Sequence, residues 1–236
     1  MLDLTRFKVL TFDCYGTMID WETGIFSAMR PILNAHDKNI PDATLLELYS
    51  ELELRAEQGE YLRYRDVLQS VVRGFGKRLE FSLTDAEVRS LPESLANWQP
   101  FPDTVESLRN LKTRYQLAVM SNVDDDLFAS TAPKLGVAFD HVITAQQAGC
   151  YKPCMRMFKL AEDRIGVSRE QWLHVGQSIF HDVIPAQSLG IATVWVNRPS
   201  PRPGSGAAKA ASGKPDLEVP NLSTLAHLAT TENQEP

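Results

Sequence analysis

The chain is predicted to be an α/β protein: a Rossmann-like, doubly wound parallel sheet core with an inserted all-helical cap domain. From residue 104 onward, short apolar strand patterns alternate with helical patterns, which is typical of parallel βαβ units. One earlier strand pattern, at residues 7–13, is separated from them by residues 20–98, which hold no strand pattern. The insert therefore interrupts the sheet domain immediately after its first strand.

The individual elements follow from periodicity and from their end signals. Residues 7–13 are short and apolar and lead into a turn at Gly16, as a buried strand does. In the insert, Leu45, Leu48 and Leu52 keep helical spacing, and Thr84 is a candidate N-cap before an acid-rich first turn. Later patterns predict helices at 104–114, 126–135, 155–165, 182–189 and 222–228, and strands at 116–120, 141–144, 172–175, 192–196 and 217–219.

These elements set the predicted domain boundaries. Residues 1–19 and 99–236 form the α/β core, and residues 20–98 form the helical cap. Within the core, residues 198–215 are rich in proline, glycine, serine and alanine. That composition predicts a flexible surface loop.

Composition excludes several classes of protein. The 236 residues are 43% hydrophobic and carry a formal net charge of −6, with no basic stripe, so a nucleic-acid partner is not expected. No apolar run approaches a membrane span, and the N-terminus has no signal-peptide pattern. Three cysteines (Cys14, Cys150 and Cys154) lack zinc-like spacing. They are read as reduced thiols in a cytoplasmic protein.

Polar side chains follow four of the predicted strands. In open parallel sheets, ligands bind beyond the carboxyl ends of the strands, where such side chains converge. One acid at a strand end is weak support for a site, whereas four polar strand ends together predict one crevice. The residues concerned are Asp13 and Thr17, Ser121 and Asn122, Lys152, and Ser178 and Asp182.

Taken together, these residues resemble the four motifs of the haloacid dehalogenase superfamily in order and spacing. The motifs read Phe12-Asp13-x-Tyr15-Gly16-Thr17, Ser121-Asn122, Tyr151-Lys152-Pro153 and Gly176-x-Ser178-x-x-x-Asp182. The helical insert stands where that superfamily carries its cap. Tyr15 resembles the L-2-haloacid dehalogenase (type II) branch, because the phosphatases place a second aspartate at that position.

The resemblance implies a metal-independent hydrolase with a carboxylate nucleophile. Asp13 would attack carbon of a 2-haloacid-like small molecule and form an ester that water hydrolyses. Lys152 would keep Asp13 ionised, since a nearby ammonium favours the charged form of an acid. Asp182 would pair with Lys152 or position water.

Hydrogen-bonding residues complete the expected catalytic set. Thr17 and Ser121 would donate to the acid or to a substrate oxyanion, Asn122 would orient the substrate, and Ser178 matches the fourth motif. For substrate binding, we expect Cys14 and Tyr15 to line the site and Trp21 to wall the crevice. The branch also uses a cap arginine, for which Arg55 is the first candidate, followed by Arg63 and Arg65.

Three alternatives remain open. Thr17, Lys152 and Asp182 would also serve a Mg²⁺-dependent phosphatase with a weakened metal site, since Gln177 stands where an acid often follows the glycine. A repurposed scaffold could perform acid-assisted epoxide or carbocation chemistry on a larger metabolite, and a non-enzymatic binding protein is the last alternative. No cofactor is expected unless the phosphatase alternative holds. The expected partner is a small molecule, and a homodimer stays open.

Overall fold

The core of the protein is a six-stranded, wholly parallel sheet. The computed structural model describes residues 2–199, 207, 209 and 211–231. The strand order is β3-β2-β1-β4-β5-β6, so the predicted Rossmann-like fold is confirmed. The strands are β1 (Val9–Phe12), β2 (Gln116–Ser121), β3 (His141–Thr144), β4 (Trp172–Gly176), β5 (Ala192–Val196) and β6 (Leu217–Val219).

The central strands are buried on both faces. Every residue of β1 and of β4 is buried, as expected for a parallel sheet covered by helices on both sides. Strand β1 lies between β2 and β4, with Phe12 in register with Val119 and Val175. The order of the strands reverses at β1, so the crevice of the fold opens at the carboxyl end of this strand.

Ten α-helices accompany the sheet in the described part of the chain. Four of them lie between β1 and β2 and form the predicted insert, in which the described residues contain helices and no strand. The helices are α1 (Trp21–Ala35), α2 (Asp42–Ala56), α3 (Tyr64–Arg78), α4 (Asp85–Ser94), α5 (Thr104–Lys112), α6 (Asp125–Thr131), α7 (Ala145–Ala148), α8 (Met155–Ile165), α9 (Ile184–Ser188) and α10 (Leu222–Thr231).

The insert is held together by an apolar core, and the Asp124 carboxylate is one of its polar contacts with the sheet domain. Tyr49 of α2 and Phe75 of α3 are fully buried. Thr84 is the N-cap of α4, as predicted, and it forms a reciprocal capping box with Glu87. Asp124, which follows β2, accepts hydrogen bonds at 3.0 Å from the backbone N–H groups that begin α3. These two hydrogen bonds hold the cap next to the carboxyl end of β2.

One predicted element differs from the structure in kind. Instead of a helix from residue 182, a π-helix spans Ile179–Val183 and leads into α9. Ser178 causes this earlier start, because its hydroxyl accepts a hydrogen bond from the His181 N–H and so caps the helix. Asp182 consequently lies inside the helix and not at its cap. Similarly, the predicted helix 126–135 divides into α6 and a 3₁₀ turn at Ala132–Leu135.

The exact domain boundaries stay predictions, and so does the flexible loop at 198–215. Residues 200–206, 208 and 210 of that loop lie outside the described residues. Where it is described, Arg198 is anchored, since its guanidinium pairs with Asp103 at 2.9 Å and stacks over Phe101. Across the described part of the chain, no helix has both the length and the apolar character that crossing a membrane requires.

The prediction of three reduced thiols is wrong for two of them. Cys150 and Cys154 form a disulfide, while Cys14 is free and buried. The two cysteines lie at the ends of a tight turn that brings their Cα atoms to 6.2 Å, within the range that a disulfide can bridge. The sequence argument for a reducing compartment therefore loses its basis.

Candidate active site

A cavity lies between the carboxyl ends of β1, β2 and β4 and the first helices of the insert. The sheet domain contributes Asp13, Ser121 and Lys152 to its lining. The insert contributes Trp21 from α1 and Glu53 from α2. The predicted crevice therefore exists, and it is closed by the cap.

An ion-paired cluster forms the floor of the cavity. The Lys152 Nζ donates to Asp13 Oδ1 at 2.8 Å, to Asp182 Oδ1 at 2.7 Å and to the Met120 carbonyl at 2.8 Å. These three acceptors use all three ammonium protons. The side chains of Lys152 and Asp182 are 1% exposed and that of Asp13 is 13% exposed, so Asp13 is the acid that a ligand can reach.

The three ionisable groups of this cluster differ in the direction of their pKa shifts and in the dominant cause. Burial alone would lower the pKa of Lys152, but the two carboxylates beside it outweigh burial and raise it. Burial likewise opposes ionisation of Asp182, yet Lys152 and His174 hold its pKa well below the usual range. For Asp13, burial outweighs the attraction of Lys152, so its pKa is raised. The cluster thus holds a permanently charged lysine, an ionised Asp182 and a more basic Asp13.

Close backbone turns orient Asp13. Gly16 has φ +92°, and a Cβ there would lie 3.1 Å from the Trp21 indole nitrogen, so the turn after β1 requires glycine. The turn places the Thr17 hydroxyl at 2.7 Å from Asp13 Oδ2, to which it donates. The Gln177 N–H donates in turn to the Thr17 oxygen at 2.9 Å. Both Asp13 oxygens are therefore held by a side-chain donor.

The turn that carries Lys152 is fixed by Asn122. The Asn122 carbonyl oxygen accepts from the Lys152 backbone N–H at 2.7 Å, and its amide donates to the Lys152 carbonyl at 3.3 Å. Asn122 was expected to orient the substrate. In the structure, both of its polar atoms bind the lysine turn, although the residue also lines the cavity.

Two polar groups in the site have no partner within the described residues. The Ser121 hydroxyl is fully buried, lines the cavity and makes no hydrogen bond. His181 has the same property at Nε2, while its Nδ1 lies 3.2 Å from the Ser178 hydroxyl. Burial lowers the pKa of His181 to about 4, so its ring is neutral at pH 7. An unpartnered buried polar group costs free energy unless a ligand satisfies it.

Sequence reasoning missed a series of buried side-chain hydrogen bonds next to Asp182. His174 Nε2 lies 3.2 Å from Asp182 Oδ1, and its Nδ1 lies 2.8 Å from the Thr11 hydroxyl. The Trp172 indole N–H donates to that hydroxyl at 2.7 Å. The available signal was a histidine within the apolar pattern of β4, because a buried polar group in a strand needs a specific partner.

Two acids of the insert were also missed. Glu53 and Glu57 line the cavity with Ser50, opposite the Lys152 cluster. The hydroxyls of Tyr49 and Tyr64 donate to Glu53 Oε1 at 2.8 and 2.6 Å. Burial raises the pKa of both glutamates, and Glu53 adds to the effect on Glu57. Their signal in the sequence was positional, since residues 50, 53 and 57 share one helical face.

The candidate arginines are not in the site. Arg55 lines a separate surface groove on the opposite side of α2, with Glu51 and Ser70. Arg63 and Arg65 pair with Asp124 and with Asp126 in the first turn of α6, at distances of 2.6 to 3.8 Å. None of these three guanidinium groups lines the cavity, so their expected role in substrate binding is corrected.

The other predicted substrate-binding residues divide into two groups. Tyr15 and Trp21 line the cavity. The Tyr15 hydroxyl is 2.9 Å from Thr131, which turns it away from Asp13. Cys14 is fully buried within the apolar core and is not part of the lining, because residues that follow one another out of a strand point to opposite faces.

The residues present do not suit a magnesium ion. Mg²⁺ requires hard oxygen ligands in near-octahedral geometry, usually with carboxylates. The ammonium of Lys152 lies between Asp13 and Asp182 and binds both, while Tyr15 and Gln177 replace the further acids. No group of three His, Cys, Asp or Glu side chains that could hold a metal occurs among the described residues.

An open parallel sheet, a helical insert after its first strand, and an Asp13–Lys152 pair beneath that insert define a hydrolase of the capped α/β class. The family model for the haloacid dehalogenase-like hydrolases matches residues 7–190. The chain belongs to this family, and the predicted superfamily and enzyme class are confirmed.

Individual relatives cover nearly the whole chain. Haloacetate dehalogenase H-2 of Moraxella sp. (strain B) is 27% identical over 95% of this chain and 99% of its own. Glyceraldehyde 3-phosphate phosphatase of Methanothermobacter thermautotrophicus is 31% identical over 80% of this chain and 85% of its own. The L-2-haloacid dehalogenase of Xanthobacter autotrophicus, solved with chloropropionic acid covalently bound, has a TM-score of 0.76 at 21% identity and covers 97% and 100% of the two chains.

The charge states of the cluster predict how activity depends on pH. If ionised Asp13 is required, kcat/KM should fall as the pH drops through its pKa, which lies above the value of about 3.9 for a free aspartate. The raised pKa of Lys152 predicts no alkaline loss below about pH 10. A pH profile of kcat/KM checks both limbs. The acid limb should survive in His181→Asn, and a profile flat down to pH 4 would contradict the assignment.

Proposed function

We propose that the protein is a metal-independent hydrolase that displaces halide from carbon of a 2-haloacid-like small molecule, with Asp13 as the nucleophile. The single observation that carries this proposal is the Asp13–Lys152–Asp182 cluster, in which a lysine takes the place between the acids that a metal would need. Relatives with a dehalogenase name, such as the Moraxella enzyme, support the same reaction class.

The first step forms an ester. An Asp13 carboxylate oxygen attacks the carbon that bears the halogen, a C–O bond forms, and the halide leaves with the electrons of the C–X bond. Lys152 and Thr17 hold the carboxylate in one orientation. Orientation of the reacting groups supplies much of the rate enhancement that such a site offers.

The second step releases the product. Water attacks the ester carbonyl carbon, the bond between that carbon and the alkoxy oxygen breaks, and the Asp13 carboxylate is restored with a proton released to solvent. The tetrahedral intermediate carries a negative oxygen, which the Lys152 ammonium and the Thr17 hydroxyl are placed to stabilise. The otherwise unpartnered Ser121 hydroxyl is available to a substrate oxygen.

A second candidate is a Mg²⁺-dependent phosphatase, because one relative is a glyceraldehyde 3-phosphate phosphatase at 31% identity. The donor set argues against it, since Lys152 occupies both carboxylates of the floor. The single charge of Lys152 is shared by Asp13 and Asp182, so Asp13 would also have to attack a phosphate dianion against like-charge repulsion.

A substrate panel separates the two candidates. We expect halide release from small molecules with a halogen at C2, the (S)-2-haloacids among them, at a rate unchanged by EDTA. A chloride or fluoride assay in parallel with a phosphate assay on small phosphate esters provides the measurement. Phosphate release that EDTA abolishes, with no halide release from any compound, would refute the dehalogenase assignment.

Three further expectations remain predictions. The proposed partner is a small organic molecule, which a cavity between the strand ends and the insert suits. A cytoplasmic location and a homodimer are carried over from the sequence as predictions. Acid-assisted chemistry and a purely binding role are weaker alternatives, because neither requires the Asp13 carboxylate to be held in one orientation by Lys152 and Thr17.

A further inference from the structure

The cavity is acidic on the side that faces Asp13. Glu53 and Glu57 lie one helical turn apart, the former in α2 and the latter directly after it, and both line the same cavity as Asp13. No arginine is among the described lining residues. A substrate lying against Asp13 therefore meets carboxyl groups at the cap.

Among the described residues, two lysines line this cavity, and only Lys152 is paired with carboxylates. Lys152 donates its three ammonium hydrogen bonds to Asp13, Asp182 and the Met120 carbonyl. Lys209 lines the cavity as well, but its ammonium lies 3.6 Å from the centre of the Phe180 ring. At the floor of the cavity, Asp13 and Asp182 outnumber Lys152 in charge, so a carboxylate placed beside Asp13 would lie next to a like charge whose counter-ion is already fully hydrogen-bonded.

Both glutamates have acceptor capacity left for a ligand. The two tyrosine hydroxyls bind one oxygen of Glu53, namely Oε1, and leave Oε2 for the cavity. No described residue donates a hydrogen bond to the side-chain carboxyl of Glu57, which lines the same cavity. An ionised carboxylate has about four lone-pair sites, and a protonated carboxyl keeps acceptor capacity beside its O–H, so these two groups can accept further hydrogen bonds in either state.

A separate observation indicates that a ligand is missing. The Ser121 hydroxyl is 0% exposed, lines the same cavity and lacks any partner among the described residues. Buried hydroxyls are normally satisfied, and this one lies at the end of β2 beside the Asp13 cluster. A carbonyl oxygen of a bound molecule would satisfy it.

We propose that Glu53 and Glu57 form the specificity end of the cavity and select an uncharged substrate that carries hydrogen-bond donors, an amide in place of a carboxylate. The amide N–H groups would donate to the glutamates and its carbonyl would accept from Ser121. This inference rests on the proposed function, in which Asp13 attacks the carbon that bears the halogen. It concerns the other end of the substrate, which Glu53 and Glu57 would bind.

Binding measurements test the inference without depending on turnover. In the wild-type protein, which cannot turn over compounds that carry no halogen, calorimetry would compare lactamide, lactate and propane-1,2-diol, the amide, acid and alcohol forms of one small product. We expect lactamide to bind at least about tenfold more tightly than lactate, because like-charge contact is costly in a desolvated site. If the diol binds more weakly than lactamide, the amide carbonyl is needed as well as a hydrogen-bond donor, as proposed. Equal binding of the two would show that a donor alone suffices and would overturn the role given to the carbonyl.

Glutamine variants assign the effect to the acids. Glu57→Gln and Glu53→Gln should reduce the preference for lactamide over lactate by about tenfold, whereas Glu47→Gln, an exposed position on the same helix, should leave it unchanged. In active protein, 2-chloropropionamide should release chloride with a higher kcat/KM than 2-chloropropionate.

The two failures are distinguishable. Tighter binding of lactate than of lactamide, or an unchanged preference in both glutamine variants, would overturn the inference and leave the dehalogenase proposal standing. Absence of halide release from both chloropropionyl compounds, with the lactamide preference intact, would instead overturn the proposed reaction and keep the specificity assignment.

Discussion

Replacing Asp13 by asparagine should lower the rate of halide release by about 10⁴-fold or more, because loss of a covalent nucleophile costs on this order in hydrolases. Asparagine preserves the shape of the side chain and its bond to Thr17, but its neutral amide is a far weaker nucleophile. The fold should persist, since Asp13 lies at the edge of a cavity with 13% of its side chain exposed. The variant is compared with wild type by halide assay at saturating substrate.

An isotope experiment tests whether Asp13 forms a bond to the substrate. In a single turnover in ¹⁸O-labelled water, the ester route places the label in the Asp13 carboxylate and leaves the first product molecule unlabelled. Mass spectrometry of the peptide that contains Asp13 measures this directly. Label that appears in the product at once, with none in the peptide, would mean that Asp13 activates water and does not attack carbon.

A matched substitution separates catalysis from folding. Asp20 is the N-cap of α1 and accepts a hydrogen bond from the Thr23 N–H. Asparagine is an equally good N-cap, so Asp20→Asn should retain the wild-type rate. Similar losses in Asp13→Asn and Asp20→Asn would point to a general structural defect.

The sheet and its polar strand ends were predictable from local signals. Asp13, Lys152 and Asp182 lie far apart in the chain, but each follows a strand pattern that is short, apolar and clearly bounded. Parallel topology then brings the strand ends to one edge. The residues of the floor follow from pattern and topology alone.

The cap side of the cavity was not predictable in the same way. Residues 53 and 55 are two apart on one helix, and because each residue turns the helix by about 100°, they face nearly opposite directions. The sequence does not reveal which face meets the sheet domain, so charge alone favours Arg55, although Glu53 and Glu57 are the residues that line the cavity. The docking of α2 on the core decides this point, and docking depends on long-range packing.

Two smaller errors have related causes. The Cys150–Cys154 disulfide depends on a turn that brings two Cα atoms to 6.2 Å, and the spacing of four residues does not specify that turn. The contact of His174 with Asp182 depends on the register between β4 and the π-helix that follows it. Both require the three-dimensional path of the chain after a strand ends, where periodicity carries no information.

Replacing Lys152 by methionine should abolish activity and destabilise the fold by about 3–5 kcal/mol, because it leaves buried carboxylates without a counter-charge. Methionine keeps most of the volume of the lysine stem, so the effect reports charge and not a cavity. Urea unfolding followed by circular dichroism measures the free energy of unfolding at pH 7. Lys159→Met removes a lysine that is 73% exposed and should leave that free energy unchanged.

The loss of stability in Lys152→Met should change with pH in a definite direction. In the wild type, Lys152 depresses the pKa of Asp182, so Asp182 stabilises the fold above its unfolded pKa of about 3.9, and this contribution is lost as the pH falls through the folded value. In Lys152→Met, burial instead raises the pKa of Asp182, and the ionised acid destabilises the fold at neutral pH. The difference in stability between variant and wild type should therefore be largest near pH 7 and shrink toward pH 4.

A second substitution identifies which charge is responsible. Adding Asp182→Asn to Lys152→Met removes the uncompensated carboxylate, and the double variant should regain part of the lost stability at pH 7 while staying inactive. If the double variant is less stable than Lys152→Met by the full cost of Asp182→Asn alone, the two residues are not energetically coupled. Recovery of stability without recovery of activity would separate the two roles of Lys152, which neutralises a buried acid on one side and orients Asp13 on the other.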